Sequence, residues 1–210
     1  GWSKWPEYFL DGLPSTLETG RGSPTGVTCY DHNAYPSRYH GAYFLGDWSL
    51  GRILVAFPRL AGSTFAATAE VFVEGKPLNV TDLEVGPDGC VYFCTGGRGT
   101  EGGLYRIVYT GPAPKLPARD GIWQAVRQPQ FYSAYAREQI AVVQERMGRS
   151  WDEALVQVAL DPANKPEERL RAMDLMQLYG PYPTADGMIS LAQDRSAAVR
   201  AKAAWLMGLH

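Results

Sequence analysis

The sequence has few cysteines, and none of them has the spacing of a metal or haem motif. Only three occur, Cys29, Cys90 and Cys94, and neither CxxC nor CxxCH is present. Cys90 and Cys94 fall on one predicted strand, which separates them by about 13 Å, so they cannot form a disulfide with each other. A zinc ribbon, a thioredoxin-like redox site and covalent haem attachment are therefore unsupported.

The sequence also lacks an excess of either charge and any long apolar run. Lys and Arg number 20 against 22 Asp and Glu, for a net charge of -2, so electrostatics give no reason to expect nucleic acid or an anionic membrane as a partner. No apolar stretch approaches the roughly 20 residues that cross a bilayer. With 210 residues, 45% of them hydrophobic, the chain is long enough for one large or two small globular domains.

Residues 24 to 110 alternate apolar and polar positions, which predicts short antiparallel strands. Gly86-Pro87-Asp88-Gly89 favours a tight hairpin turn, because Pro fixes φ at its first position and Gly tolerates the positive φ that closes it. The stretch 47–51 favours another. The strands form a group of four followed by a group of three, which is blade-like repetition; we expect them at 26–30, 42–46, 52–57, 68–73, 80–85, 90–95 and 103–109.

A proline-rich stretch, TGPAPKLPARDG, ends the sheet pattern, and helical periodicity follows it. Ile140, Val143 and Met147 have the spacing of an apolar stripe on a helix that ends at Gly148. Ser150 followed by Glu at 153 predicts a capping box at the start of the next helix. Three further helices are predicted within KPEERLRAMDLMQLYG, TADGMISLAQD and SAAVRAKAAWLMGLH.

Short internal similarities indicate stacked helix pairs in the second half. VALD at 158–161 recurs as LAQD at 191–194, and LRA at 170–172 recurs as VRA at 199–201. An interval of about 30 residues suits a helical solenoid. We therefore expect a leading segment at 1–23, sheet blades at 24–111, a Pro-rich linker at 112–119 and helical repeats at 120–210.

Several stretches carry a resemblance to a known family. GSPTGVTCYDHNAYPSRYHGAYFLGDWSLGRI and PLNVTDLEVGPDGCVYF resemble the closing blades of the soluble glucose and sorbosone dehydrogenase β-propellers, in particular the large dehydrogenase-like proteins of planctomycete-type bacteria. LAQDRSAAVRAKAAWLMG resembles HEAT repeats. The resemblance implies a β + α fold in which an incomplete β-propeller, about two antiparallel blade-equivalents of the family's six, precedes an α-helical HEAT-like solenoid.

The resemblance also implies pyrroloquinoline quinone with calcium near it, a sugar-like substrate and a periplasmic or secreted parent protein. In that family, basic side chains hold the quinone's carboxylates, and the corresponding positions here are Asn79, Thr81 and about Ser49. None of the three is cationic, and the family's catalytic histidine lies in earlier blades, so the catalytic residues stay unknown. We expect a fragment, with its true start and any signal peptide upstream, that does not catalyse on its own.

The glycine-rich run at 96–103, GGRGTEGG, is the most distinctive loop. It lacks the Gly-Lys-Ser/Thr ending of a P-loop and precedes a strand where that motif opens a helix, so it is not a nucleotide cradle. We interpret it as the loop that leaves the second strand of a blade, with Arg98 projecting from it. Arg98 is then either an anion-binding residue at the mouth of the propeller or a solvated loop cation.

Three other polar residues are candidates for a site. Asp82, near the start of an inner strand, and Asp47, at a turn, could supply hard oxygen ligands to calcium or orient a substrate hydroxyl. Each could instead accept backbone N–H bonds at a turn. His32, between an Asp and an Asn, could act as a base or metal ligand or belong to a polar turn. Trp48, together with Trp2 and Trp5, could line a sugar site or serve in packing.

Two functions follow from these observations. The first is the dehydrogenase-like fragment, whose parent oxidises a sugar or related alcohol. The alternative is an interaction module whose helical repeats bind a protein partner on an extended surface. Because two blades cannot close a ring, we also expect self-association through exposed apolar faces, including those carrying Val85, Val91 and Phe93. Because the last helix is not followed by a polar capping repeat, we expect Trp205, Leu206 and Leu209 to be uncovered.

Overall fold

The computed structural model describes residues 13–112 and 114–209, which belong to two compact units that divide between Leu116 and Pro117. Within these ranges, the first unit holds seven strands and the second six helices. The prediction of antiparallel sheets of four and three strands followed by helices is confirmed. Within residues 13–112 the two sheets do not close into a ring. Trp2, Trp5 and His210 lie outside the described residues.

The first unit contains two antiparallel meanders. Strands β1 to β4 form the first sheet in that order, and a short 3₁₀ helix at Ser37–Tyr39 lies between β1 and β2. Strands β5 to β7 form the second sheet. The bounds are β1 Pro24–Tyr30, β2 Ala42–Asp47, β3 Arg52–Ala61, β4 Thr64–Glu74, β5 Val80–Val85, β6 Val91–Gly97 and β7 Thr100–Ile107.

The two sheets pack face to face over an aromatic core. Tyr30, Phe44 and Ile53 of the first sheet are fully buried in one cluster with Val85 and Val91 of the second. The expectation that Val85, Val91 and Phe93 are exposed is wrong, since at most 6% of any of the three is accessible. Their alternation along the strands directs them at the first sheet, which covers them.

A pair of stacked tyrosines joins the sheets by hydrogen bonds. The rings of Tyr30 and Tyr35 lie 4.7 Å apart. The Tyr30 hydroxyl donates to the Gly89 carbonyl at 2.9 Å. The Tyr35 hydroxyl donates to the Ile107 carbonyl at 2.7 Å and accepts from the Val91 amide at 3.0 Å. Burial raises the pKa of Tyr35 to about 12 and that of Tyr30 further, so both stay protonated donors across the physiological range.

The edge strands β1 and β5 of the two sheets run side by side in the same direction. The Thr25 hydroxyl donates to the Val80 carbonyl at 3.0 Å, and further along both strands the Thr28 hydroxyl donates to Glu84 at 2.9 Å. Between these contacts, a β-carbon at Gly26 would lie 2.2 Å from Asp82 Oδ1, so only glycine permits this close approach. The edges of two antiparallel sheets thus meet in parallel.

The other face of the first sheet, which we call the far face, is apolar along its whole length. Val27 and Leu60 on it are 60% and 75% exposed, and a cavity of about 590 Å³ lies against it. The strand register places on this face Val27, Cys29, Tyr43, Leu45, Leu54, Ala56, Pro58, Leu60, Phe65, Ala67, Ala69 and Val71. The first sheet therefore has apolar residues on both faces. Of the two, the far face is the one through which the predicted self-association would occur.

The second unit consists of a short helix followed by five longer ones. Helix α3 packs on α4, α5 packs on α6, and the second pair stacks on the first through α3 with α5 and α4 with α6. Trp151 is buried at the centre and donates from its indole nitrogen to the Gly180 carbonyl at 3.0 Å. The bounds are α1 Trp123–Val126, α2 Ala134–Met147, α3 Ser150–Leu160, α4 Pro166–Tyr179, α5 Ala185–Ala192 and α6 Ala197–Met207.

The ends of the helices confirm some sequence predictions and correct others. Helix α2 ends at Gly148 as predicted. The capping box at Ser150 is wrong, because the Ser150 hydroxyl donates to the Met147 carbonyl and does not cap α3. Of the three residues expected to be uncovered at the last helix, Trp205 and Leu209 are 47% and 50% exposed, as predicted, whereas Leu206 is buried, with 1% exposed. In the described part of the chain, no helix has both the length and the apolar character needed to span a bilayer.

A buried ion pair connects the two helix pairs. Arg169 on α4 is 3% exposed and lies 2.7 Å from the Asp194 carboxylate, in the connection between α5 and α6. Its Nε also donates to the Ala159 carbonyl at 2.8 Å. The hydrogen bond from Arg169 lowers the pKa of Asp194 below its usual value, and the Ser196 amide acts in the same direction.

We expect Tyr35→Phe to destabilise the first unit by about 2 kcal/mol, because the change leaves the buried Val91 amide and Ile107 carbonyl without a partner. Hydrogen exchange of residues 80–107, followed by mass spectrometry, measures the loss. Tyr43→Phe is the matched control, since the Tyr43 hydroxyl makes no hydrogen bond with another described residue and its side chain lies on the far face. Equal protection in the two variants would contradict the bridging role of Tyr35.

We expect Asp194→Asn to destabilise the second unit at pH 7 by about 3 kcal/mol, because Arg169 would stay buried without its counter-charge. The pKa of Asp194 is lowered in the folded state, so the stabilisation is present above the unfolded-state pKa and is lost as the pH falls through the folded-state value. Urea unfolding at several pH values, followed by helical circular dichroism, should show a shallower acid dependence for the variant. An unchanged acid dependence would contradict this assignment.

Candidate ligand-binding site

Two turns come together at the end of the sheets where β1 and β5 begin. The first strand pair is in register from Pro24 with Asp47, so the β2–β3 turn that follows Asp47 lies at this end. Asn79 directly precedes β5, and its carbonyl accepts from the Gly96 amide at 3.0 Å, which brings the β6–β7 turn here too. Packing of the two sheets thereby places Trp48 and Arg98, which are fifty residues apart, in contact.

The glycine-rich run forms the tight β6–β7 hairpin. Gly97 pairs with Thr100, and the two residues between them have positive φ, 51° at Arg98 and 80° at Gly99. This is the backbone of a two-residue type I′ turn, in which glycine is the favoured residue and arginine is not. The strained backbone at Arg98 places a cation at the tip of the hairpin.

Trp48 is the platform on which this cation lies. The Arg98 guanidinium carbon is 5.3 Å from the centroid of the Trp48 ring. The ring is held in place because its indole nitrogen donates to the Gly96 carbonyl at 2.7 Å. Asn79 secures the same residue from the other side, since its amide donates to the Trp48 carbonyl at 3.0 Å. The arrangement presents an exposed cation over a fixed aromatic ring.

A polar groove of about 320 Å³ shares Asn79 with this platform. Its walls combine an amide, two hydroxyl side chains, a carboxylate and one aromatic ring, contributed by Asn79, Thr95, Thr100, Glu101 and Tyr105, with Pro77 and Leu78 completing the lining. Mixed hydrogen-bonding groups beside apolar surface are typical of a small-molecule site. We call the groove together with Trp48 and Arg98 the turn-end site.

Asp47 is a structural residue of the turn. It is buried, with 5% of its surface exposed, and its Oδ1 accepts from the amides of Ser23 and Leu50 at 3.0 and 3.2 Å. Its Oδ2 lies 3.3 Å from the Arg52 Nε. These donors match the backbone-capping interpretation of Asp47 that the sequence left open beside the calcium one.

Asp82 lies where β5 approaches β1. The register between β5 and β6 shifts between Val80 and Asp82, and the Asp82 carboxylate accepts from the Leu83 amide at 2.8 Å. The side chain is exposed on the face of the second sheet away from the core. One carboxylate oxygen thus stabilises a bulged strand start, a place where side chains are often redirected toward ligands.

His32 lies at the opposite end of the sheets. It follows the last residues of β1, and a β-carbon at Gly89, in the turn between β5 and β6, would be 2.3 Å from its Nδ1. The same nitrogen accepts from the Ala34 amide at 3.2 Å, and the ring makes an edge contact with Tyr30. The structure therefore brings Arg98 together with Trp48, and it does not bring His32 to them.

The side chains at the family's cofactor positions do not form a quinone clamp. The amide of Asn79 is used on Trp48, and the Ser49 hydroxyl lies 2.5 Å from the hydroxyl of Ser23. Thr81 supplies no charge. Within residues 13–112 and 114–209, no group of three or more His, Cys, Asp or Glu side chains has the geometry to hold a metal ion. We derive no chemistry through pyrroloquinoline quinone or calcium in this chain.

Sequence reasoning missed most of the groove. The sequence points to Asn79 only as a position where the family has a cation, and it places Thr100 and Glu101 in a glycine-rich loop. A signal was available, because Thr100 and Glu101 directly follow a Gly-Arg-Gly turn and so begin the next strand. What the sequence could not supply is the contact between this hairpin and the turn at Trp48, which depends on how the two sheets pack.

Comparisons with known proteins identify no relative. No family model, no curated protein and no solved structure matches the chain.

We expect Trp48→Phe to reduce protection of the β6–β7 hairpin by about 1–2 kcal/mol, because the Gly96 carbonyl, on a buried residue, would lose its donor. Hydrogen exchange of residues 91–107 measures the change. Trp205→Phe is the control, since that ring is 47% exposed and its indole makes no hydrogen bond with another described residue. A hairpin equally protected in the Trp48 variant would show that this bond does not hold the site.

Proposed function

We propose that the first unit is two adjoining blades of a dehydrogenase-like β-propeller that binds a sugar-like molecule at the turn-end site, and that the second unit is a HEAT-like solenoid. Two observations support the blade assignment. The innermost strands β1 and β5 run parallel beside each other, as the first strands of neighbouring blades do around a central channel. The far face is apolar, as a blade that packs against a further blade requires.

The observation that carries the ligand assignment is the Arg98 guanidinium over Trp48, beside a polar groove of about 320 Å³. Sugars present hydroxyl groups that pair with amides, hydroxyls and carboxylates, and they present apolar C–H surfaces that pack on aromatic rings. The turn-end site contains each of these complements within one fold unit. A sugar that also carries a carboxylate gains a charge-assisted hydrogen bond from Arg98.

The parent protein, on this proposal, oxidises a sugar or related alcohol, and this chain supplies binding surface and not catalysis. The positions at Ser49, Asn79 and Thr81 support that division, since none carries the cation that the quinone needs. The periplasmic or secreted location and the cofactor belong to the parent and follow only from the resemblance.

We expect D-gluconate to shift the amide resonances of the groove residues and the indole resonance of Trp48 in a saturable way, and D-glucose to do so more weakly. Arg98→Asn should weaken gluconate binding by about tenfold while keeping the hairpin, because Asn tolerates the positive φ at this position. Arg59→Asn is the matched control, an exposed cation on β3 without a salt bridge to another described residue. The readout is a nuclear magnetic resonance titration of the whole labelled chain.

The same samples test whether this chain catalyses oxidation on its own. With added pyrroloquinoline quinone, calcium, an artificial electron acceptor and an aldose, we expect no turnover above the protein-free rate. Robust turnover would overturn the non-catalytic assignment, and the absence of saturable shifts with both sugars would overturn the ligand assignment.

The alternative, a protein-interaction module without sugar chemistry, is favoured by the outer face of the second sheet. Arg106 Nη1 and the Tyr92 hydroxyl both bond to Asp88 Oδ2 at 3.0 Å there, and Asp82 and Glu84 share the face. A charged face of this kind is poorly suited to packing against a further blade. Under this alternative the chain binds no sugar, and its recognition surface is in the helical unit.

A further inference from the structure

The helical unit contains an apolar groove that the proposed sugar site does not involve. It measures about 290 Å³ and lies between α3, α5 and the connection that precedes α5. Its apolar lining includes Val156, Leu160, Met176, Pro181, Pro183 and Leu191. The volume is sufficient for one or two large aliphatic side chains, and it is too small for a helix face.

Two carboxylates form the rim of this groove at the start of α3. Asp152 and Glu153 both line it, and both are exposed. Neither forms an ion pair or a side-chain hydrogen bond with another residue in the described ranges, 13–112 and 114–209. Their position in the first turn of α3 also favours them through the helix dipole, but this effect does not require an apolar cavity beside them.

Gly187 leaves part of the groove wall without a side chain. It lies in the first turn of α5 and lines the groove. A β-carbon there would meet Thr184 Oγ1 at 3.2 Å and Leu160 at 4.0 Å, and no other atom within that distance. Its φ is not in the left-handed region, so the backbone does not require glycine. The 3.2 Å approach is tighter than ordinary contact, so the lack of a β-carbon accommodates the Thr184 hydroxyl that caps α5, and it also leaves space in the groove.

We propose that this groove binds an extended peptide segment of a partner protein that places a leucine-like side chain in the cavity and a lysine or arginine beside Asp152 and Glu153. The apolar walls select the first side chain. The unpaired carboxylates select the second by charge complementarity, which disfavours acidic partners. Burial of one or two aliphatic side chains supports an affinity in the millimolar to high micromolar range for a short peptide.

The probe is an N-acetylated, C-amidated peptide of sequence Lys-Leu-Leu-Lys, titrated into the whole labelled chain. We expect saturable amide shifts at Val156 and Gly187, weakened by added salt because the rim is exposed. The matched peptide Glu-Leu-Leu-Glu should bind about tenfold more weakly or not at all. Absence of saturable shifts, or equal binding of the acidic peptide, would overturn the proposal.

Variants of the groove separate its two parts. The double change Asp152→Asn with Glu153→Gln should weaken the basic peptide by about tenfold and leave the helical fold intact, whereas Glu145→Gln, an exposed charge on α2, should have no effect. Gly187→Leu should fill the cavity and abolish binding, whereas Gly187→Ala should retain it. Because a β-carbon at position 187 would press on the capping Thr184 hydroxyl, helical circular dichroism of both variants checks the fold, and Gly187→Ala controls for a weakened cap. Retained binding in Gly187→Leu would overturn the proposal.

Failure of this experiment is distinguishable from failure of the sugar assignment. The groove and the turn-end site belong to different units, and each titration reports on resonances of one unit. A chain that binds the basic peptide and neither sugar would favour the interaction module. A chain that binds gluconate and not the peptide would leave the sugar assignment standing without this groove.

Discussion

The structure of the first unit depends on the hydrogen bonds by which Tyr30 and Tyr35 join its two sheets. Neither sheet can bury its aromatic face alone, and a face-to-face contact made only of apolar side chains would fix their separation but not their register. The hydroxyl of Tyr35 bonds to backbone groups of β6 and β7 together, and that of Tyr30 bonds to the turn before β6. Directional bonds of this kind set the offset of one sheet on the other, and that offset determines that the hairpin carrying Arg98 reaches Trp48.

The two sheets differ in the polarity of the faces that point away from their shared core. The first has apolar residues on both faces and resembles the inner layer of a larger assembly, whereas the second has one apolar face and one face with charges. This asymmetry bears on both functional proposals. The parallel approach of β1 and β5 and the apolar far face favour a propeller blade. The charged face around Asp88 favours a surface that does not pack against a further blade. In a propeller, that face would lie where the ring closes or would be exposed to solvent.

Local features were well predicted from the sequence. The period-two segments, the turn at 86–89 and the helix that ends at Gly148 were identified because backbone preferences of Pro, Gly and branched residues act over a few residues. The predictions that failed needed long-range information. Val85, Val91 and Phe93 are covered by a different sheet, formed by an earlier part of the chain. Ser150 has the spacing of a cap, but the preceding turn engages its hydroxyl. The turn-end site was predictable in part. The sequence points to Arg98 and Trp48 as candidates, but their contact depends on how the two sheets pack.

The buried pair of Arg169 and Asp194 has a consequence for how the helical unit behaves as an array. In helical repeat proteins each repeat contacts only its neighbours, so terminal repeats can open separately and the array responds as a chain of weakly coupled segments. Here the counter-charge of a buried guanidinium on α4 is supplied from beyond α5. Opening of the last helix pair would leave the Arg169 guanidinium buried without its counter-ion. The free energy of that opening therefore includes the cost of an unpaired buried charge. The ion pair therefore couples the opening of the last helix pair to the stability of α4.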